Sequence, residues 1–188
     1  MSEEFLGDRR KALEDAFFAT HNEQLKQKLR EADAERAKRD TLRAASGIAD
    51  EAVLDQLIAL DIHSETVAAL SLIPLLEVAW ADGRMEARER QAILDGAQTM
   101  GLHVGNASYE LLEGWLEQQP APALFTAWQA YVQALVATLD VEAREALKTE
   151  LLGRARAVAD AAGGILGFGS RISKAEQAKL TMLEQAFA

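Results

Sequence analysis

Asp82-Gly83-Arg84-Met85, followed by Glu86 and Glu89, is the stretch of this chain whose residue types and spacing best suit chemistry. An Asp-Gly turn with an apolar residue two after the glycine and a Glu six after it reproduces the second half of a calcium-binding loop. There the glycine permits the sharp turn and the last Glu closes the coordination shell. The first half differs, because Val78 and Trp80 stand where its carboxylates belong, which leaves Asp82, Glu86 and Glu89 as the acids. Together with water these three could hold a divalent cation weakly, and calcium, magnesium and manganese are the ions that favour oxygen ligands. A helix start accounts for the same residues without a metal. Glu89 sits where Glu176 completes Ser173-x-x-Glu176, a capping-box pattern, and Asp82 can accept from amides of its own turn. Capping is the preferred reading and the cation site is its alternative.

Little else in the chain suggests catalysis. Cysteine is absent, which excludes disulfides, thiol nucleophiles and thiolate metal sites and agrees with a reducing compartment. His21, His63 and His103 lie far apart and none is paired at helical spacing with a second ligand, so each reads as a surface or cap residue. The glycines at 163, 164, 167 and 169 precede a helix but also follow one, and they lack a phosphate-binding lysine. They read as a connector whose Ile165, Leu166 and Phe168 could plug a core or dock on a partner. No nucleophile, acid–base pair or cofactor motif is visible, so the chain is not expected to be an enzyme.

The elements that position these residues are helical. Three prolines in 188 residues, with long runs of Ala, Leu, Glu and Arg, favour helix throughout. Charge divides the chain: residues 1–48 hold ten acids and ten bases, so the whole net charge of −10 falls on residues 49–188. Such an acidic body repels phosphate backbones, and nucleic acid is not an expected partner. Residues 1–47 read as a helical arm, with Glu35 spaced three and four residues from Lys38 and Arg39 for local ion pairs. Its thin apolar stripe, Leu25, Leu29, Ala32 and Leu42, does not sustain a heptad, but with Phe5, Leu13, Phe17 and Phe18 before it, Leu25 and Leu29 could dock on a protein partner.

Residues 48–188 read as one all-helical domain. Ser46-Gly47 closes the arm, and Asp50 caps a helix to about Leu60. Ser64 is expected to cap one apolar helix running to Asp82-Gly83, too short and too interrupted to span a bilayer. Further helices follow from Glu86 to Met100, from Asn106, and beyond Pro122, where Leu124, Phe125, Trp128, Tyr131, Val132, Leu135, Val136 and Leu139 form the strongest apolar stripe. Asp140 opens a long helix and Ser173 the final one. Residues 83–94 (GRMEARERQAIL) and 170–181 (SRISKAEQAKLT) share an Arg, a capping position and a Glu three later. The fold expected is therefore a compact bundle of about seven helices built from two similar helix-turn-helix halves, plus the arm.

Ala81-Asp82-Gly83-Arg84-Met85 with Glu89, set between an apolar and an amphipathic helix, resembles the Ala-Asp-Gly-x-apolar-x-x-x-Glu signature of the TerB-like family, named from bacterial tellurite resistance. The resemblance covers about residues 64–188 and departs from the signature in the second half, where Gly169-Ser170 replaces Asp-Gly. It implies an all-helical bacterial cytoplasmic domain of two halves, linked to stress, metal resistance or membrane-associated complexes and without established catalytic activity. In the arm, Asp8-Arg9-x-Lys11-Ala12-x-Glu14-x-x-Phe17 resembles the opening of the inhibitor subunits of bacterial ATP synthase, which also begin with a mixed-charge helix. The function expected is a non-catalytic interaction module engaging a protein partner, with peripheral membrane association only through that partner. The alternative is a metal-binding stress protein using the three acids.

Overall fold

The computed structural model describes residues 26–162 and 172–187. They are helical, with no strand among them. The chain divides into two units, Met1–Asp40 and Thr41–Ala188. Helix α1 occupies 26–46. In the first unit its described residues are exposed from 26 to 38 and carry Lys38–Glu35 and Arg36–Asp33 pairs one turn apart. Such exposed pairs add only a few tenths of a kcal/mol each, about 0.3–0.5.

The second unit begins before the boundary read from the sequence, because Leu42 is fully buried and Ser46 and Ile48 are buried with it. Gly47 closes α1 at φ +73°, a left-handed conformation that other residues adopt only under strain. Asp50 then accepts from Ala52 N and Val53 N at 2.9 and 3.1 Å to start α2 (Glu51–Ile58). The single helix expected from Ser64 to Gly83 does not form. Thr66, not Ser64, organises the turn, its Oγ1 accepting from His63 N at 2.8 Å. A 3-10 segment, Val67–Leu72, then leads into a short α3, Ile73–Ala79. Pro74 sets this break, since a proline lacks the N–H that a continuous helix would need there and is tolerated only in the first turn.

Helices α4 (Ala87–Thr99), α5 (Ala107–Glu117), α6 (Pro122–Val136), α7 (Val141–Ala162) and α8 (Lys174–Gln185) complete the bundle. Asn106 caps α5 by accepting from Ser108 N, and Asp140 accepts from Ala143 N at the start of α7. Helix α3 explains the apolar run that contains it. Ile73, Pro74, Leu75, Leu76, Val78 and Ala79 are all buried, because α3 packs against α4, α6, α7 and α8 and has no free face. Leu75, Leu76 and Ala79 join Ile93, Leu112, Leu116 and Val158 in one apolar cluster. Ile73 and Val78 join the larger one, built around Leu54, Leu57, Trp128, Val132, Leu152 and Leu183. The residues of α7 that enter these clusters, Leu151, Leu152, Ala155, Val158 and Ala159, recur at one helical face.

Two polar contacts fasten this packing. Arg144 Nη2 donates to Val136 O at 3.2 Å, placing a guanidinium against the carbonyl end of α6. Lys179 Nζ donates to Glu77 Oε2 at 2.6 Å and lies 5.7 Å from the centroid of the Phe125 ring. This pair is only 20–30% exposed. Its loss should therefore cost more than that of a surface pair: Glu77→Ala is expected to destabilise by about 1–2 kcal/mol. Because much of that cost is the ammonium left unpaired, Lys179→Met added to Glu77→Ala should recover part of it. A double-mutant cycle by urea unfolding measures both numbers, and zero coupling would show that the two groups act separately.

Candidate functional site

The Asp-Gly turn between α3 and α4 is built by backbone geometry first. The last turn of α3 closes with Trp80 N donating to Leu76 O, and Gly83 takes φ +80°. Asp82 Oδ1 accepts from Arg84 N at 3.0 Å, bridging the turn from an exposed position. Glu86 is the N-cap of α4 and forms a reciprocal capping box with Glu89, in which Glu86 N donates to Glu89 Oε2 at 2.8 Å. Glu89 is 3% exposed, an unusual location for a carboxylate.

The same construction recurs at the start of α8. Ser173 N donates to Glu176 Oε2 at 2.6 Å, Glu176 N donates to Ser173 Oγ at 3.2 Å, and Glu176 is also buried. Both N3 glutamates are buried, and the charge of Glu176 reaches Glu89. Burial is the main cause that raises the Glu89 carboxyl from 4.5 to about 7, and the charges of Glu86, Glu176 and Asp82 add to the rise against the lowering effect of the Glu86 N–H. A carboxyl with that affinity for protons sits within a convergence of four acids, drawn from the α3–α4 turn and the starts of two helices.

The structure thus brings together the three residues read as metal or cap. In this geometry Asp82 and Glu89 each accept a backbone hydrogen bond, as caps do. Among the described residues, no group of three or more His, Asp or Glu side chains is arranged to hold a metal ion. Glu176 is the member of the cluster that the sequence did not assign to it, although its capping-box match to Glu89 was the available signal.

The other candidates separate. Leu29 is 63% exposed on α1. Phe5, Leu13, Phe17, Phe18, Leu25, Ile165, Leu166 and Phe168, together with His21, lie outside the described residues. His63 is half-buried with Nε2 4.0 Å from Asp61 Oδ1, and His103 is exposed. Of the three tryptophans, Trp128 is buried, whereas Trp80 and Trp115 are half-buried and Trp80 Nε1 donates to Trp115 O at 3.0 Å. No described helix is long and apolar enough to cross a membrane. Comparison of the chain with protein-family models, with curated proteins and with solved structures returns no match.

Proposed function

We propose that the protein is a non-catalytic interaction module, of the kind the TerB-like resemblance implies in a bacterial stress-response or membrane-associated complex, with a bundle of two similar halves as scaffold. The observation that carries the reading is the exposure of every residue from 26 to 38, with Leu29 open to solvent at 63%. With local ion pairs and so little burial, residues 26–38 bury little apolar surface among the described residues, and most helical stability in proteins comes from packing an apolar face. A partner's groove would supply that packing. The two capping boxes with buried N3 glutamates support the duplicated design.

The test compares the full chain with one beginning at Thr41, by affinity capture followed by crosslinking and mass spectrometry. The shortened chain is expected to unfold as cooperatively as the parent, since every buried residue among the described ones lies at Leu42 or beyond it. Proteins captured by the parent, crosslinked through residues 26–40, should be lost from the shortened chain and from Leu29→Asp. Identical captures from both chains would exclude the arm as the docking element.

A second reading rests on the charges of Glu86, Glu176 and Asp82, which add to the rise of the Glu89 carboxyl and which a divalent cation would offset, although the described acids are not grouped as a ready metal site. Asp82→Asn separates the two, because asparagine still accepts the Arg84 N–H but carries no charge. On the capping reading this variant changes stability by only about 0.5 kcal/mol or less and ignores added ions. On the metal reading, millimolar calcium, magnesium or manganese raises the melting temperature of the parent and not of the variant.

A further inference from the structure

Between the 3-10 segment, α6 and α7 lies an open cavity of about 300 Å³, walled by Val67, Ser71, Trp128, Tyr131, Leu135 and Leu147 among others. No charged side chain is among those lining it. Its size and its chemistry both restrict what it could hold. A cavity of about 150 Å³ with aliphatic and aromatic walls admits benzene, so this volume suits a fused bicyclic ring. A charged ligand would lose its hydration there without an opposite charge to replace it. One polar group is nevertheless offered. Tyr131 lines the cavity, is only partly exposed, and its hydroxyl makes no hydrogen bond among the described residues. Burial raises its pKa above the usual 10, so it is a neutral donor at physiological pH. Ser71 Oγ already donates to Ala68 O at 2.6 Å and retains only acceptor capacity.

We propose that this cavity binds a small neutral molecule, a flat apolar body of about two fused rings carrying one oxygen or nitrogen that accepts a hydrogen bond from the Tyr131 hydroxyl. The site is remote in chemistry from the acidic turn, and it meets α1 only at Ala45, within the second unit. Pockets of this kind, apolar with a single well-placed polar group, take their affinity from burial and their orientation from the one hydrogen bond.

The experiment is an amide NMR titration of the full chain with three probes: 2-naphthol, 2-methylnaphthalene and naphthalene-2-sulfonate. Expected are saturable shifts, centred on residues 67–72, 128–136 and 147–151, with the two neutral probes and none with the sulfonate. Tyr131→Phe should weaken 2-naphthol binding about tenfold, the worth of one hydrogen bond, and leave 2-methylnaphthalene unchanged. Ser71→Trp or Leu135→Trp should fill the space and abolish binding of both. The proposal is overturned by the absence of saturable shifts with 2-naphthol, by equal binding of the sulfonate, or by binding that survives a folded filling variant. Should both filling variants lose their helical circular dichroism, Tyr131→Phe decides alone, and an unchanged 2-naphthol affinity overturns the hydrogen bond on which the ligand class rests.

Discussion

Replacing Trp128 with alanine is expected to destabilise the protein by about 3–5 kcal/mol, the range for a large aromatic side chain removed from a packed core. Trp128 is 1% exposed and belongs to the larger apolar cluster, and its ring stacks on Phe125 with centroids 5.5 Å apart and an interplanar angle of 15°. Two costs therefore add: the transfer of the indole to water and the loss of the ring contact, the latter worth about 0.5–1.5 kcal/mol. The surroundings have little means of absorbing the loss. The indole already walls the 300 Å³ cavity, so its removal would widen an existing void instead of opening a separate one. A domain of this size has a total stability of about 5–15 kcal/mol, and the variant would spend a large share of it. Urea unfolding at constant slope measures the difference. A cost below about 1 kcal/mol would mean that the strongest apolar stripe of the sequence is not a core face. Trp128→Phe, which keeps a ring against Phe125, should lose markedly less.

That stripe illustrates what the sequence made legible. Of its eight residues, Leu124, Phe125, Trp128, Val132 and Val136 are buried on α6, whereas Tyr131, Leu135 and Leu139 are half-buried and Leu139 lies beyond the helix end. Local signals held equally well at Asp50, Asn106, Asp140 and Ser173, where short polar side chains accept from amides in the first turn of each helix. These features depend on neighbours within four residues. What the sequence concealed depends on partners far along the chain. An apolar run such as Val67–Ala79 has no periodicity to mark its own interruption, so the split between 3-10 segment and α3 at Pro74 was read as one helix. Leu42, alone among charged neighbours, looked like part of a thin arm stripe, yet it is fully buried in the second unit. At the acidic turn the spacing identified Asp82, Glu86 and Glu89. That Glu176 joins them followed only from the packing of helices almost ninety positions apart in sequence, as the Lys179–Glu77 pair, 102 residues apart, did for α8 and α3.

The buried carboxyl at that turn should make itself felt in the pH dependence of stability. In the unfolded chain Glu89 titrates near 4.5, whereas in the folded protein it is raised to about 7. Between those values the folded state keeps a proton that the unfolded state has released, so stability must fall as pH rises through this window. Below about pH 4.5 both states are protonated and no penalty exists. Above about pH 7 both are ionised and the penalty is complete, on the order of 3 kcal/mol from the size of the shift. Glu89→Gln isolates this contribution, because glutamine can still accept from Glu86 N in a capping box but cannot ionise beside Glu86, Glu176 and Asp82. Titrating groups that do not interact with Glu89 contribute equally to parent and variant and cancel in their difference. The expected result is near-equal stability at pH 4 and a variant more stable than the parent at pH 8, measured by urea unfolding at each pH. A difference that does not change between the two pH values would show that the Glu89 carboxyl binds its proton equally in the folded and unfolded chain. Divalent ions add a discriminating arm: a cation held by these acids would keep Glu89 ionised and flatten the fall in the parent, whereas a capping carboxyl would give the same slope with and without millimolar calcium, magnesium or manganese.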